Sequence, residues 1–233
     1  MELEAAIRTR RSEHRLIEPA PSDEEFVDLL GWAATAPDHG HLRPWRWILV
    51  RGDSRTTLGV SFASGATDAE TVRREMRKPL RAPLLATLVF VPRRNHRVPD
   101  WEQLAASSAM VNSLMLLLHD RGFGSIWRTG SPVDSAETRT LLGLAPHEGL
   151  IGWLYIGSPD PTRRSVLRAP GTGQPPGLPV HAGGLPGAAR PAPAHRSPAG
   201  RHALTAGGTG GRSAPSARTC LRGHLVPMRC RAQ

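Results

Sequence analysis

The chain has 233 residues and a formal net charge of +10, and 39% of its residues are hydrophobic. That hydrophobic fraction is below the roughly 45–50% of an ordinary globular domain, so we expect part of the chain not to fold. No apolar run is long enough to span a membrane and no secretory signal is visible, so we expect a cytoplasmic protein without a membrane partner.

The positive charge belongs to the part of the chain after residue 160. Residues 1–160 carry 19 of the 30 basic residues and all 20 acidic residues, so this part is close to neutral. Residues 161–233 carry 11 arginines, 12 of the 24 glycines and 11 of the 22 prolines, but no aromatic residue. Such a composition buries too little apolar surface to offset the entropy cost of ordering the backbone. We therefore predict a folded domain over residues 1–165 and a disordered tail over residues 166–233.

Both cysteines, Cys220 and Cys230, lie in this tail, so we expect neither a disulfide framework nor a Cys-ligated metal site in the folded domain. The change in composition near residue 163 is abrupt and resembles an out-of-frame reading of GC-rich DNA. We hypothesise a frameshifted or misassigned C-terminus.

In chain order, the first predicted element is a helix over residues 2–9. Ser22 and Glu25 have the spacing of a capping box and predict the start of a second helix. Its apolar residues recur at helical spacing as far as Ala34, and Pro37 should end it. Residues 45–50 are predicted to form a strand, and a short helix is expected from Ser54.

The second half of the domain starts with an apolar run over residues 83–91, which predicts a central strand. Residues 100–119 form the longest helical pattern, apolar nearly all round, which is typical of a helix buried in a core or at a subunit interface. Residues 122–127 and 150–157 are predicted strands. Helices and strands alternate without a regular βαβ period, so the predicted fold class is α+β.

Three segments carry candidate functional residues, and the first is Arg10, Arg11 and Ser12. Two guanidinium groups and a hydroxyl group near a helix end can bind a phosphate through charge-assisted hydrogen bonds. The alternative interpretation is a solvated basic helix end.

The second segment is the loop over residues 36–45, which contains Asp38, His39 and His41. A metal site is disfavoured because the HxxxH and HExxH spacings are missing and no cysteine is nearby. A histidine that contacts a cofactor is favoured, and an ordinary hydrogen-bonded loop histidine is the alternative.

The third segment covers residues 122–130. This segment is not a dinucleotide-binding fingerprint, because Trp127 stands where the GxGxxG motif needs glycine. The alternative interpretation of its glycines is a strand that another backbone approaches closely. Arg128 places a cation at the end of this strand. We find no motif for a protein nucleophile, which favours chemistry carried by a cofactor.

Together these segments resemble the nitroreductase family, in particular its small YdjA-type NAD(P)H nitroreductases. The resemblance covers about residues 2–165. Six motifs in one order carry it: RRS at 10–12, APDHxxxxPW at 36–45, RAPL at 81–84, NHRVPDWEQ at 95–103, GFGSIWRTG at 122–130 and LYIGSP at 154–159.

The resemblance implies a mainly antiparallel sheet flanked by helices, in an intertwined homodimer that binds FMN at the subunit interface. The residues implied to bind FMN are Arg10, Arg11, Ser12, Thr35, His39, Trp127, Arg128 and Thr129. Thr35 and His39 would come from the opposite protomer. The stretch implied to bind the nicotinamide cofactor is Leu117, Leu118, His119, Asp120, Arg121 and Gly122.

The implied activity is a ping-pong transfer of electrons from NADH or NADPH, through FMN, to a nitroaromatic compound, a quinone or a similar small acceptor. The chemistry would occur on the flavin, with no catalytic side chain and no metal. Arg43 and His41 depart from the Gln and Asn common in the family. The alternatives are a flavin-binding sensor or carrier with little turnover, and nucleic-acid binding through the basic tail, which we disfavour because no aromatic residue lies between its arginines.

Overall fold

An antiparallel sheet with helices on both faces organises the domain. The computed structural model describes residues 1–94 and 97–162 and the backbone of residues 226–228. The strands are β1 (Leu16–Ile17), β2 (Trp45–Val50), β3 (Leu84–Phe90), β4 (Gly124–Arg128), β5 (Gly149–Pro159) and β6 (Val226–Met228). The helices are α1 (Leu3–Thr9), α2 (Asp23–Ala33), α3 (Ser54–Phe62), α4 (Ala69–Arg77), α5 (Asp100–Asp120) and α6 (Ala136–Leu141).

These elements confirm the predicted α+β class. The Ser22 side chain accepts a hydrogen bond from the Glu25 amide, so the predicted N-cap of α2 is confirmed. The predicted tail, residues 166–233, lies outside the described residues except for the backbone of β6.

The sheet has the order β1-β5-β3-β2-β6, and the remaining strand, β4, also pairs with β5. Every pair of strands is antiparallel. The long strand β5 is central, because it pairs with β3 through Thr87 and Trp153 and with β4 through Ser125 and Ile156.

Each face of the sheet packs against a different set of helices. On one face, Phe26 of α2 and Leu114 of α5 contribute to a core with Trp47 of β2. On the other face, Phe62 of α3 packs on Trp153 of β5, with ring centroids 4.6 Å apart. Because successive side chains of a strand point to opposite faces, neighbouring residues of β4 serve different cores.

The long helix α5 is largely buried, as its sequence predicts. Met110, Leu114 and Leu118 are fully shielded from solvent. The first turns of α5 are less buried, since Trp101 is 71% exposed and Leu104 is 38% exposed. No helix within residues 1–94 and 97–162 is long and apolar enough to cross a membrane.

Candidate functional site

The segment that follows α1 runs alongside β4. Ser12 forms a parallel bridge with Ser125, and the Glu13 amide donates a hydrogen bond to the Ser125 carbonyl at 3.1 Å. A Cβ atom on Gly124 would lie 2.8 Å from Leu16 Cδ2, so this close approach requires glycine. Gly124, the second glycine of the GFGS motif, therefore allows the RRS motif to lie beside β4.

A cavity of about 220 Å³ lies where this segment, β4 and the end of α5 meet. Arg10, Arg11, His119 and Ser125 line it. The Thr9 hydroxyl lies 2.8 Å from His119 Nε2, and this hydrogen bond connects the end of α1 to the last turn of α5. The cavity therefore combines residues that lie more than 100 positions apart in the chain.

Arg10 supplies the most informative atom of this cavity. Its Nη1 atom is buried and has no hydrogen-bond partner among the described residues. Arg11 Nε is also buried without a hydrogen bond among the described residues, but it lies 2.7 Å from Glu13 Oε1 and so has a counter-charge. A buried donor without an acceptor is costly, and a guanidinium group in that state suits a bound anion such as a phosphate.

The charge around His119 favours its neutral form. Burial lowers the pKa of His119 below its usual 6.5, and the positive charges of Arg10 and Arg11 lower this pKa further. A neutral imidazole leaves the two arginines as the cations of the cavity.

The second half of the GFGSIWRTG motif lies along β4. Trp127 donates a hydrogen bond from Nε1 to the Ile151 carbonyl at 3.0 Å and packs against the core that contains α5. The Arg128 guanidinium group lies 3.1 Å from His14 Nδ1 and 5.8 Å from the ring centroid of Tyr155. Thr129 is exposed.

Tyr155 is buried beneath Arg128. Burial raises the pKa of Tyr155 to about 12, although Arg128 lowers it, so the phenol is neutral near pH 7. The Arg128 charge therefore faces a neutral ring and a histidine, which leaves it able to attract an anion.

The loop after α2 carries the other predicted flavin contacts. The Thr35 hydroxyl donates to the Trp32 carbonyl at 2.9 Å at the end of α2. His39 Nδ1 lies 2.7 Å from Glu102 Oε1, in the first turn of α5, and 58% of the His39 side chain is exposed. His39 is thus hydrogen-bonded, and it presents its ring to the surface.

The predicted site residues fall into two groups at opposite ends of α5. His119 marks the end near Arg10, and Glu102 marks the end near His39. At a rise of about 1.5 Å per residue, these two positions of the helix are about 26 Å apart. A single small ligand bound to one copy of the chain cannot contact both groups.

The stretch over residues 117–122 is only partly open. His119 and Gly122 line the cavity, whereas Leu118 is fully buried in the core. Asp120 lies 2.6 Å from the Met1 amino group, and Arg121 lies 3.8 Å from Glu25.

Sequence patterns alone did not single out Thr9, His14 or Ser125 as parts of these sites. Thr9 precedes the RRS motif and Ser125 lies inside the GFGS motif, so proximity to a motif was the only available signal. Across the described ranges, no group of three His, Cys, Asp or Glu side chains could hold a metal ion.

Comparison with known proteins identifies the family to which this arrangement belongs. The model of the nitroreductase family matches residues 7–158. The chain belongs to the nitroreductase family. The match covers all of β1–β4 and nearly all of β5, together with both ends of α5, so both groups of predicted site residues lie within it.

Two relatives are also similar along most of their own length. The putative NAD(P)H nitroreductase YdjA of Escherichia coli K12 is 32% identical over 165 residues, which are 69% of this chain and 90% of that protein. The putative NAD(P)H nitroreductase YfhC of Bacillus subtilis is 30% identical over 172 residues, covering 70% of this chain and 88% of that protein.

Among solved structures, a nitroreductase-like family protein from Bacillus cereus superimposes with a TM-score of 0.64. It is 25% identical, and the match covers 73% of this chain and 92% of that one. The predicted membership of the nitroreductase family and the predicted nitroreductase fold are therefore confirmed.

Proposed function

We propose that this nitroreductase-family protein binds FMN and transfers electrons from NADH or NADPH to nitroaromatic compounds, quinones or similar small acceptors. The observation that carries the proposal is the buried, unpartnered Nη1 atom of Arg10 in the cavity beside β4. The names of the two relatives, both NAD(P)H nitroreductases, support the electron donor.

Arg10, Arg11 and Ser12 would hold the FMN phosphate, the ribityl chain or the edge of the pyrimidine ring. The residues fit this group, because Arg10 offers a buried donor that no atom of the described residues accepts. Arg128 would add a further cation near the phosphate, and Trp127 and Thr129 would complete the pocket. Glu13 offsets the charge of Arg11, so Arg10, which forms no ion pair among the described residues, would supply the positive charge that attracts the phosphate.

Thr35 and His39 would contact the same cofactor from the partner subunit, which is why we propose a homodimer. The length of α5 separates them from Arg10 within one copy. Exposed apolar side chains lie near these ends: Leu3 and Ile7 on α1, Trp32 on α2, and Trp101 and Leu104 on α5. Such a set of exposed apolar side chains is typical of a subunit interface.

FMN, when bound, supplies the redox chemistry by accepting a hydride and returning electrons to an acceptor. The residues of the chain bind and orient it, and the positive charge of Arg10 or Arg11 stabilises negative charge at the ring edge. Because the Thr9 hydroxyl donates its proton to the Ala5 carbonyl, the neutral imidazole of His119 would donate from Nε2–H to Thr9 Oγ1. We place the nicotinamide cofactor beside His119 and Gly122, and we expect donor and acceptor to react in turn by a ping-pong mechanism.

The test is purification followed by an absorbance spectrum, FMN titration and anaerobic addition of NADH or NADPH. Arg10→Ala should weaken FMN binding at least tenfold, the effect of losing a charge-assisted hydrogen bond of about 1.5–3 kcal/mol. Arg8→Ala is the matched control, since Arg8 lies on α1 two residues before Arg10, and its ion pair with Glu4 is exposed.

Three results would contradict different parts of the proposal. A colourless monomer that takes up no FMN would overturn it entirely. Uptake of FMN without bleaching by NADH or NADPH would favour a flavin sensor or carrier. Retention of nucleic acid that is lost on deleting residues 166–233, with flavin turnover unchanged, would assign a separate activity to the tail.

A further inference from the structure

The loop between α2 and β2 has an unusual backbone. His41 and Arg43 have φ angles of 50° and 45°, in the left-handed region that residues other than glycine rarely adopt. Asp38 holds this conformation, because its carboxylate accepts the Arg43 amide at 2.7 Å and its carbonyl accepts the His41 amide at 2.9 Å. The loop thus maintains a costly conformation that turns Arg43 towards solvent.

Two more arginines lie close to this loop. The Val91 amide donates to the Pro44 carbonyl at 2.8 Å, which joins the chain after β3 to the loop. The Gln103 side chain accepts the Arg93 amide at 2.8 Å and donates to the Arg93 carbonyl at 2.9 Å, so this backbone is held on the first turns of α5. Arg94 is the next residue.

We call Arg43, Arg93 and Arg94 the cationic rim. All three side chains are exposed, and no carboxylate among the described residues forms an ion pair with them. Three carboxylates lie nearby. Asp38 accepts a hydrogen bond from the Arg43 amide, Glu102 contacts His39, and Asp100 lines a cavity with Arg93 and Arg94. None of these carboxylates forms an ion pair with a guanidinium group of the rim, so the three guanidinium groups remain available to an anion at the end of α5 that carries His39.

We propose that the cationic rim makes the enzyme selective for electron acceptors that carry a negative charge, such as nitroaromatic carboxylates. The inference rests on the proposed function, which places His39 against the flavin of the partner subunit. An acceptor that reaches this flavin then passes the rim. A negative charge on it is attracted by arginines that form no ion pair within the described part of the chain, whereas a neutral acceptor of the same shape is not.

The test compares 4-nitrobenzoate with 4-nitrobenzamide, which have nearly the same size but differ by one charge. The wild-type protein should have the higher kcat/KM for the anion. Arg43→Gln should lower the ratio of the two kcat/KM values about fivefold, the size expected for one contact between charges at the protein surface. Arg43→Lys should keep most of the ratio, and Arg73→Gln, an exposed arginine of α4, is the control.

Salt gives an independent measurement. Raising the ionic strength from about 0.01 M to 0.15 M shortens the Debye length from about 30 Å to about 8 Å. The ratio should fall in the wild-type protein and much less in Arg43→Gln. The double variant Arg93→Gln/Arg94→Gln should lower the ratio in the same direction, and it replaces Arg43→Gln if the strained loop makes that variant fail to fold.

The outcomes separate this inference from the proposed function. A wild-type protein that binds FMN but turns over neither acceptor contradicts the proposed function. Turnover of both acceptors without preference for the anion overturns the role of the rim. Equal losses for both acceptors in Arg43→Gln also overturn it, since they would indicate a changed flavin potential rather than recognition of charge.

Discussion

Thr9 Oγ1 and His119 Nε2 lie 2.8 Å apart, although 110 positions separate the two residues in the chain. This hydrogen bond attaches the last residue of α1 to the last turn of α5. Arg10 and Arg11 follow immediately, so the contact sets the position of the two cations in the cavity.

Removing this contact should loosen the cavity. We expect Thr9→Val to lower the free energy of unfolding by about 1 kcal/mol, because a hydrogen bond is lost and the Val side chain keeps the volume. FMN should bind several-fold more weakly. Thr140→Val is the matched control, since Thr140 and Thr9 both donate to the carbonyl four residues earlier but only Thr9 reaches a histidine. Chemical unfolding and FMN titration measure the two effects, and equal effects in both variants would contradict this role.

The protonation of His119 should respond to the charges around it. Burial lowers its pKa, and Arg10 and Arg11 lower this pKa further. Arg10→Ala should therefore raise the pKa of His119, and so should inorganic phosphate bound in the cavity. NMR titration of the imidazole resonance measures this directly, and an unchanged pKa in both cases would rule out the coupling.

The same shift makes stability depend on pH. The unfolded chain binds a proton at His119 below about pH 6.5, whereas the folded chain resists protonation until lower pH. This contribution is complete above pH 6.5 and is lost as the pH falls through the folded pKa. Melting temperatures between pH 5 and 8 should therefore vary less in His119→Gln than in the wild-type protein.

Much of the fold could be predicted from local patterns. The apolar spacing after Ser22 predicts α2, and the apolar run of β3 predicts a buried strand. The helix α4 was missed because most of its nine residues are charged and its apolar side consists only of Ala69, Val72 and Met76. The two-residue strand β1 was missed because only its pairing with the end of β5 defines it.

Gly152 should be irreplaceable for a reason that only the strand pairing reveals. Its φ is 123°, and a Cβ atom would lie 2.5 Å from the Arg128 carbonyl and 2.7 Å from Trp127 Nε1. Gly152→Ala should therefore destabilise the fold by about 3 kcal/mol or more, because it combines a strained backbone with a clash. Gly31→Ala, at an exposed position in the last turn of α2 where a Cβ atom meets nothing within 4 Å, should stabilise the fold by about 0.5–1 kcal/mol. Urea unfolding of both variants tests the contrast, which similar values would contradict.

A buried ion pair should hold β2 to the turn before β5. Arg46 donates from Nε and Nη2 to the Glu148 carboxylate at 2.8 and 2.6 Å, and this contact lowers the pKa of Glu148. Glu148→Gln should lower the free energy of unfolding by about 3 kcal/mol at pH 7, because Arg46 loses its counter-charge.

The difference should shrink as the pH falls below about 4.5, because the unfolded chain then binds a proton at Glu148, and it should vanish once the pH falls below the lowered pKa of Glu148 in the folded protein. Glu24→Gln, on the exposed side of α2, should have little effect at any pH. Comparing the unfolding of the three proteins at pH 7 and pH 4 tests the assignment, and a pH-independent difference would oppose it.

The exposed first turn of α5 should belong to a subunit interface. Trp101→Glu places a charge on a side chain that is 71% exposed in one copy, and we expect it to yield monomers that bind FMN poorly. Val60→Glu, on α3, is the control, since Val60 is 56% exposed but lies away from both groups of predicted site residues. Light scattering and FMN titration would show whether assembly and cofactor binding are lost together.

The candidate site was harder to predict than the fold. The motifs indicated Arg10, His39 and Arg128 as residues to examine, but no spacing indicates that α5 holds Arg10 and His39 at opposite ends. The left-handed conformation of His41 and Arg43 could not be predicted either, because turn rules expect glycine or asparagine at such positions. Both facts depend on contacts between distant parts of the chain.

The separation set by α5 also has a genetic consequence. If each flavin needs the Arg10 end of one copy and the His39 end of another, a defect at Arg10 and a defect at His39 damage different halves of each site. Two separately inactive variants, mixed and allowed to exchange subunits, would then form hybrids in which one site has both halves intact and the other has neither. Each hybrid would regain up to half the activity of a wild-type dimer, so the two defective alleles would complement each other when expressed in the same cell.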